Sequence, residues 1–266
     1  MRRRLDAELV RRGLSTSRQR ALEEIGAGRV LVGGLPARSA ARRVAADESI
    51  SMSGEGPRFV SRGGEKLAAA LDQFDVAVTG RRALDAGAST GGFTDCLLQA
   101  GAAHVVAVDV GRGQLAWSLR TDPRVTVLER TNVRYLAPDD IGGRVDLCTA
   151  DLSFISLSVC APALARCVTA DADLVLLVKP QFEAGRRDVG KGGVVRDASV
   201  HRAVLRRVRD DLAAAGVDAV AAIPSPLRGA DGNVEFLFHS RRDGGPTLGD
   251  DALDAAVDRA HTGAPS

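Results

Sequence analysis

A glycine-rich turn at residues 84–94 constrains the fold more than any other stretch of this 266-residue chain. An apolar run is followed by Gly87, Gly91 and Gly92, and the segment after them has a helical pattern. Glycine allows the backbone to come close to a ligand, and the start of a helix presents unpaired N–H groups to it. The stretch therefore predicts a strand, a turn and a helix that together bind a nucleotide-like cofactor.

The spacing of these glycines differs from that of dinucleotide-binding folds. Three residues stand between Gly87 and the Gly91-Gly92 pair, so the pattern is not GxGxxG. A second apolar run, at 105–108, ends in Asp109 about 20 residues after the turn, where an acidic side chain can accept ribose hydroxyls. The prediction is an adenosine-containing cofactor that does not need a pyrophosphate.

Apolar runs alternate with helical patterns from residue 83 onward. After the run that ends at the turn, the candidate strands are 105–108, 125–128, 145–150 and 174–178. This alternation is typical of an α/β fold in which helices cover both faces of a parallel sheet. Two later runs are predicted to pair antiparallel at the sheet edge, as in methyltransferases but not in dehydrogenases; they are 217–223 and 234–239. The fold class is therefore predicted as α/β with a Rossmann-like, mostly parallel seven-stranded sheet and an antiparallel last strand.

Polar residues follow several of these apolar runs. They are Asp85, Asp109, Asn132, Asp151 and Lys179. Ligands of open α/β sheets collect at the carboxyl ends of the strands. A single acid in such a position is as commonly a helix N-cap as a ligand contact, but several on one edge favour a binding site.

The composition is that of a soluble globular protein, with 45% hydrophobic and 26% charged residues. No apolar segment has the length of a signal-peptide core or of a membrane span, so a cytoplasmic location is expected. The 4 cysteines and 4 histidines are scattered. Because they lack the paired spacing of zinc ligands or of a disulfide framework, we expect no metal site and no disulfides.

Basic residues are concentrated near the N-terminus. Residues 1–50 contain eleven arginines and six acids, a net charge of +5, whereas the whole chain carries +2 and the remainder therefore 2 − 5 = −3. This asymmetry indicates phosphate contact. Aromatic residues make up only 3%, so base stacking is not the expected main mode of recognition. The three lysines, Lys66, Lys179 and Lys191, are candidates for chemistry that arginine cannot perform.

The first 55 residues have a pattern of their own. Two helical patterns, the second opened by Ser17 as N-cap, precede a short strand at 30–32 and a turn. The characteristic residues are Arg4-Leu5-Asp6, Leu9, Gly13, Ser17-Arg18, Ala21, Ile25, Gly28, Val30, Val32 and Gly34. Their order resembles the RNA-binding domain first seen in ribosomal small-subunit protein four. The resemblance implies that exposed arginines contact RNA phosphates, Arg18 first and with it Arg4 and Arg20; the alternative is a solvated basic face.

A second resemblance rests on motifs that follow in order along the chain. They are Ser61-Arg62-Gly63-Gly64 with Lys66, the turn from Asp85 to Thr94, Ala150-Asp151-Leu152-Ser153-Phe154-Ile155-Ser156, Val178-Lys179-Pro180-Gln181-Phe182-Glu183 and Gly232-Asn233-Val234-Glu235. From the N-terminus to about Phe238, the chain resembles the TlyA family, whose members are described as haemolysins and as ribosomal RNA ribose methyltransferases. Its catalytic portion is similar to the FtsJ-like ribose methyltransferases, which use S-adenosylmethionine.

This resemblance implies a catalytic tetrad of Lys66, Asp151, Lys179 and Glu235, and cytidine targets in both ribosomal subunits. The sheet edge then places the methionine portion of the cofactor at the turn, its ribose at Asp109 and its adenine near Asn132. The predicted cofactor residues are Asp85, Gly87, Ser89, Thr90, Gly91, Gly92, Phe93, Asp109 and Asn132. Arg112 stands where the family often has an aromatic residue, which weighs against a ring-stacking role there.

The chemistry of ribose methylation supports the tetrad independently. A 2′-hydroxyl is a poor nucleophile at neutral pH, so it needs help in losing its proton and needs in-line placement. Two lysines near each other and beside carboxylates supply this help, because repulsion and desolvation lower the pKa of one ammonium while the acids orient it. We expect Lys179 to lie closest to the hydroxyl and Asp151 to hold it, with Lys66 and Glu235 completing the network. The alternative for Glu235 is a surface position on an edge strand.

The predicted organisation is an RNA-binding domain at 1–56, a linker at 57–62, a methyltransferase domain at 63–242 and a tail at 243–266 without an assigned function. In the loop at 185–193, Arg186, Arg187 and Lys191 are candidates to hold RNA phosphates or form a solvated loop.

Three other functions are open to a chain of this kind. A membrane-active haemolysin is disfavoured by the lack of a spanning segment and of a strongly amphipathic basic helix. The intact tetrad disfavours a non-catalytic ribosome-binding factor, and the glycine spacing disfavours a nicotinamide oxidoreductase.

Overall fold

The computed structural model describes residues 2–15, 17–54, 57–185, 187–242 and 246–262. The chain divides into two compact units, Met1–Arg58 and Phe59–Ser266. Each has its own apolar core.

The first unit is a small α+β fold with short strands. Its elements are β1 (Arg3–Arg4), α1 (Leu5–Arg11), α2 (Arg18–Gly26), β2 (Val30–Val32), β3 (Leu35–Pro36), β4 (Arg43–Val44) and β5 (Ile50–Met52). β1 pairs with β4, and β2 lies between β3 and β5, all antiparallel. The Ser17 hydroxyl accepts a hydrogen bond from the Arg20 N–H at the start of α2, which confirms the predicted N-cap.

The second unit is larger and alternates strands with helices. Its helices are α3 (Gly63–Gln73), α4 (Gly92–Gln99), α5 (Trp117–Arg120), α6 (Leu157–Cys167), α7 (Pro180–Glu183), α8 (Ala198–Ala214) and α9 (Asp250–Thr262). Its strands are β6 (Arg82–Ala86), β7 (His104–Val108), β8 (Val125–Leu128), β9 (Val145–Ala150), β10 (Val168–Val178), β11 (Asp218–Pro224) and β12 (Phe236–Arg241). Short 3₁₀ helices lie at Val133–Tyr135, Pro138–Ile141 and Ala230–Gly232.

The seven strands of this unit form one sheet in the order β11-β12-β10-β9-β6-β7-β8. The strands from β10 to β8 in this order are parallel, whereas β12 runs antiparallel to both β10 and β11. The predicted fold class, including the antiparallel last strand, is confirmed. Continuous apolar runs such as that of β7 suit this position, because helices cover both faces of the sheet.

Alternate residues of each strand enter different cores. Leu84 and Ala86 of β6 pack with Leu164 of α6 and Leu205 of α8 on one face. On the other face, Ala83 packs against the helices α3 and α4. The sheet is therefore fixed from both sides, and its strand ends are held rigidly relative to one another.

Three features differ from the sequence-based boundaries or extend them. Phe59, in the predicted linker 57–62, is 3% exposed and belongs to the core that includes α3. β10 begins at Val168 rather than at 174, because Thr169, Asp171 and Asp173 interrupt the apolar pattern. In the tail, α9 buries Leu253, Ala256 and Val257 against the sheet unit.

Candidate active site

Three strands bring polar residues to the carboxyl edge of the sheet. Asp151 directly follows β9 and Lys179 directly follows β10, and these two strands are parallel neighbours. β12 runs the opposite way with Phe236 opposite Val178, so Glu235 comes level with Lys179. The start of the antiparallel strand β12 therefore lies at the same edge of the sheet as the carboxyl ends of the parallel strands.

Lys66 reaches the site from the first turn of α3. It is 8% exposed. The packing around α3 is close because two glycines lack side chains: a Cβ on Gly64 would lie 2.3 Å from the Phe59 ring, and one on Gly92 would lie 2.2 Å from Ser61 Oγ. The absence of side chains at Gly64 and Gly92 therefore lets the start of α3 pack closely against its neighbours, and this packing positions Lys66.

Each of these two lysines is paired with one carboxylate. Lys179 Nζ lies 2.5 Å from Asp151 Oδ1 and donates to Ser153 Oγ at 2.8 Å. Lys66 Nζ donates to Glu235 Oε2 at 2.5 Å, with 10% and 2% of the two side chains exposed. Burying an ion pair costs solvation energy that its attraction often fails to recover, so the two pairs indicate a functional arrangement rather than a stabilising one.

The loop before β12 fixes Glu235. A Cβ on Gly229 would lie 2.0 Å from Glu235 Oε1, so only glycine leaves room for the carboxylate. Asn233 accepts the Val195 N–H and donates to the Gly193 carbonyl, each at 3.1 Å. Glu235 is therefore buried at a fixed loop, and the alternative of a surface position does not apply.

The glycine-rich turn lies directly beside Asp151. Gly87 has a φ of +88°, and a Cβ there would lie 2.6 Å from the Asp151 carbonyl oxygen. The Asp151 N–H donates to the Ala86 carbonyl at 3.0 Å. Gly87 is thus required both by its backbone conformation and by space, and the turn lies at the same edge of the sheet as the predicted tetrad.

The other residues of the turn fall into two groups. Ser89 and Thr90 are exposed, and Gly91 has a φ of +97° at the N-cap of α4. Gly92 and Phe93 are buried in the first turn of α4. A ligand at the turn can therefore meet the Ser89 and Thr90 side chains, but only the backbone of Phe93.

Asp109 stands at the end of β7, next to the turn. Its carboxylate accepts the Ser89 N–H at 2.8 Å and the Gly111 N–H at 2.6 Å. A small cleft there is lined by Ala88, Ser89, Ala107, Asp109, Gly111, Gln114, Leu115, Val127, Leu128 and Glu129. Asn132 is exposed on the next loop, where its side chain caps a 3₁₀ helix by accepting the Arg134 N–H.

Asp85 does not face this cleft. It is 0% exposed, and its carboxylate accepts the Thr94 hydroxyl at 2.6 Å. Burial raises the pKa of Asp85 to about 7, against the opposing effect of the bond from Thr94. The expected side-chain contact with the methionine portion is therefore corrected: Asp85 ties β6 to α4. A strand-end acid can bond either a ligand or the following helix, and the sequence does not distinguish the two.

The arginines predicted to contact RNA are partly engaged with acids of their own unit. Arg4 and Arg18 both bond the Asp6 carboxylate, at 3.1 and 2.8 Å. The hydrogen bond from Arg4 is the main cause that lowers the pKa of Asp6 to about 2. Arg18 keeps 60% of its side chain exposed, whereas Arg20 is 16% exposed beside Glu23. Arg18 is thus the more accessible cation of α2.

The basic loop at 185–193 is described in part. Arg187 and Lys191 are exposed, and Arg186 lies outside the described residues. Within the described ranges, no group of three or more His, Cys, Asp or Glu is placed to hold a metal ion. In the same part of the chain, no helix is long and apolar enough to cross a membrane.

Ser153 and Phe154, which follow Asp151 in the chain, also lie at the site, although they were not among the predicted site residues. Ser153 accepts a hydrogen bond from Lys179. Phe154 has a φ of +64° and is 91% exposed, with its ring centroid 5.2 Å from that of Phe182. Both lie in the 150–156 motif, but their side-chain directions depend on a loop conformation that strand periodicity does not predict.

Two family models match the chain. Residues 59–242 match the model described as FtsJ-like methyltransferase, and residues 3–50 match the S4 domain. Among similar proteins, the 16S/23S rRNA (cytidine-2′-O)-methyltransferase TlyA of Mycobacterium tuberculosis (strain ATCC 25618 / H37Rv) is 55% identical over 97% of this chain and 96% of its own length. Hemolysin A of Brachyspira hyodysenteriae is 38% identical over 89% of this chain and 98% of its own.

A solved structure agrees with these matches. A protein of Streptococcus thermophilus, provisionally described as a hemolysin, has a TM-score of 0.79 and 39% identity, and the match covers 98% of this chain and 96% of that one. The FtsJ-like model alone spans more than half of the chain. The chain therefore belongs to the TlyA family of ribosomal RNA methyltransferases, with an S4 domain followed by an FtsJ-like methyltransferase domain.

Proposed function

We propose that this enzyme methylates the ribose 2′-hydroxyl of cytidines in the ribosomal RNA of both subunits, with S-adenosylmethionine as the methyl donor. The name of the Mycobacterium tuberculosis relative supports the target, since that protein is 55% identical over nearly the whole chain. The observation that carries the proposal is the Lys179–Asp151 pair, which lies at the sheet edge next to the Gly87 turn.

Lys179 is the proposed proton acceptor. Its side chain is 11% exposed, so it is accessible to a substrate hydroxyl while largely removed from water. Asp151 and Ser153 hold its amino group from two sides, which fixes the direction in which Nζ can meet a hydroxyl. Lys66 and Glu235 form the second pair of the proposed tetrad and complete the polar surroundings.

The donor set at the turn suits S-adenosylmethionine, which supplies an electrophilic methyl group when bound. The Asp109 carboxylate can accept ribose hydroxyls, and the turn leaves its own backbone close to any ligand because Gly87 and Gly91 have no side chains. Ser89, Thr90, Gly92, Phe93 and Asn132 complete the proposed cofactor site. Asp85 contributes indirectly, by holding α4 through Thr94.

Ribosomal RNA is the proposed partner, and it places the enzyme in the cytoplasm. The S4 domain supports this, because its arginines can bind phosphates in a sequence-independent way. Arg4, Arg18 and Arg20 of that unit and Lys191 of the second are the proposed contacts. The exposed ring of Phe154, which packs against Phe182, is suited to contact the base of an unstacked nucleotide.

Replacing Lys179 tests this function. Lys179→Ala should lower the rate of methyl transfer to ribosomal subunits by about 10²-fold or more, because the proton acceptor is lost. Binding of S-adenosylmethionine, measured by calorimetry, should change little. Labelled cofactor, isolated small and large subunits and mapping of the modified nucleotide provide the readout.

Arg124→Ala is a matched control for the loss of one cation, because Arg124 pairs with Asp122 just before β8, at the opposite edge of the sheet. It should retain wild-type activity. Full activity of Lys179→Ala would remove Lys179 from the mechanism, and methylation of bases instead of riboses would refute the proposed reaction.

A further inference from the structure

The loops that follow β9 and β10 are joined by several contacts in succession. Lys179, at the start of one loop, contacts Asp151 and Ser153 of the other. Further along, the Phe182 ring packs against Phe154, with 5.2 Å between the ring centroids. These two loops, residues 151–157 and residues 179–183 with the single-turn helix α7, therefore run side by side away from the proposed tetrad.

Glu183 makes the last of these contacts. Its Oε2 accepts the Ser156 hydroxyl and its Oε1 accepts the Leu157 N–H, both at 2.6 Å. Ser156 is also the N-cap of α6, since its Oγ accepts the Ser158 N–H at 3.1 Å. Both oxygens of the Glu183 carboxylate are thus occupied by the segment that leads from Asp151 into α6.

The backbone of Glu183 is held as well. Arg207 of α8 donates to the Glu183 carbonyl oxygen. The side chain ties the loop to α6 and the main chain ties it to α8. Since α6 and α8 belong to the core on one face of the sheet, the end of the Lys179 loop is anchored to the rigid part of the molecule.

A buried carboxylate at this position loses solvation energy. Glu183 is 8% exposed, and burial raises its pKa against the opposing hydrogen bonds. A neutral side chain could fill the same space at lower cost in solvation. Two acceptor oxygens on one side chain, however, can bind a hydroxyl and a backbone N–H at once and so fix a spacing.

We propose that Glu183 is a positioning residue for methyl transfer: its bonds to Ser156 and Leu157 set the spacing of the two loops and so hold Lys179 Nζ against Asp151 and Ser153. This inference rests on the proposed function, in which Lys179 takes the proton of the hydroxyl. A misplacement of about 1 Å at a reacting group can cost about 10²-fold in rate. Glu183 therefore acts through Lys179 and does not itself touch the substrate.

Kinetics of Glu183 variants give the first test. Glu183→Ala should lower kcat by roughly 10- to 100-fold, with little change in KM for S-adenosylmethionine, because the turn at Gly87 is not part of the anchored loops. Glu183→Gln keeps one acceptor oxygen for the Leu157 N–H and should recover much of the lost kcat. Ser156→Ala should resemble Glu183→Ala more weakly.

Ser158→Ala is the matched control, because the Ser158 hydroxyl has no hydrogen-bond partner within the described part of the chain. It should keep wild-type kcat. Far-ultraviolet circular dichroism of each variant checks that it folds, and Glu183→Gln serves if the alanine variant does not. A rise in KM for the cofactor with unchanged kcat would overturn the proposal.

The surroundings of the Lys179 amino group can be followed by NMR, without measuring activity. Only three lysines occur in the chain, so protein labelled with ¹³C at lysine Cε gives three NMR signals. Lys191→Arg and Lys66→Arg identify two of them, and the third is then that of Lys179. In Glu183→Ala the Lys179 signal should move while that of Lys66 stays. A Lys179 signal that does not move would overturn the proposal, even if kcat falls. If the wild-type enzyme transferred no methyl group, the proposed function would be wrong, whereas a moving Lys179 signal would still support the anchoring.

Discussion

Asp85 and Asp151 each occupy the end of a parallel strand, but their surroundings differ. Asp151 keeps 23% of its side chain exposed and pairs with Lys179, whereas Asp85 is completely buried and bonded by Thr94. Burial without a neighbouring cation disfavours the charged form of the Asp85 carboxyl and so raises its pKa. Asp85 should therefore make the stability of the second unit depend on pH.

The direction of this dependence follows from the raised pKa of Asp85, about 7 against an ordinary value of 3.8. Between pH 3.8 and about pH 7 the folded chain binds more protons than the unfolded chain. The free energy of unfolding therefore falls as the pH rises through this range, and it stays low above about pH 7. Asp85→Asn removes this titration. We expect the variant to gain stability relative to wild type from pH 5 to pH 8, by an amount on the order of 2–4 kcal/mol.

Urea unfolding of both proteins at pH 5 and at pH 8 measures this effect. Far-ultraviolet circular dichroism follows the loss of the helices of the second unit, which contains most of the helical residues. Asp171→Asn, at an exposed aspartate of the same unit, controls for the loss of a carboxylate in general. An equal stability difference between Asp85→Asn and wild type at both pH values would contradict the assignment.

At the scale of an element, the docking of α9 combines ion pairs and apolar contacts. Arginines of α8 face aspartates of α9, with Arg206 bonded to Asp254 at 2.7 Å and paired with Asp250 at 3.0 Å. Leu253 of the same helix is 0% exposed. Exposed ion pairs contribute about 0–1 kcal/mol each, whereas burial of a leucine contributes several times more. The apolar face of α9 should therefore dominate its docking.

Two single substitutions separate these contributions. Leu253→Ala should destabilise the second unit by about 2–5 kcal/mol, because it removes buried methyl groups and leaves a cavity. Arg206→Ala should cost less than about 1 kcal/mol, because its partners are 35% and 54% exposed. Denaturant unfolding of both variants at one pH compares them directly, and a larger loss for Arg206→Ala would reverse the order.

At the scale of the whole molecule, the two units have separate cores and different proposed tasks. The S4 domain concentrates the positive charge, and the second unit contains the proposed tetrad. Because the second unit has its own cores, removal of residues 1–56 should leave it folded. The truncated enzyme should bind ribosomal subunits more weakly and with a smaller dependence on salt, since fewer phosphates are neutralised.

Single arginine variants refine this prediction. Arg18→Ala should reduce the slope of log Kd against log salt by somewhat less than one unit, whereas Arg20→Ala should change it less, because Arg20 is covered and paired with Glu23. Filter binding to isolated subunits over a range of salt concentrations provides the measurement. An unchanged slope after removal of residues 1–56 would show that the S4 domain does not dock the enzyme on RNA.

Elements with local sequence signals could be predicted before any tertiary contact was known. The strands β2, β8 and β9 have the predicted bounds, and Ser17 caps α2 as its residue type indicates. The sheet class followed from the alternation of apolar runs with helical patterns, and the candidate site from polar residues placed after those runs. These inferences hold because strand periodicity, capping and turn chemistry act over a few neighbouring residues.

Which side chains contact one another depends instead on how distant elements pack. Lys66 and Glu235 are 169 residues apart in the chain, and their pairing depends on the packing of α3 over an antiparallel strand. The same holds for three other features, which depend on neighbours that no local pattern specifies. They are the burial of Asp85, the anchoring of the Lys179 loop by Glu183 and the docking of α9. Burial and pairing are properties of the packed core, so they become defined when distant elements pack together.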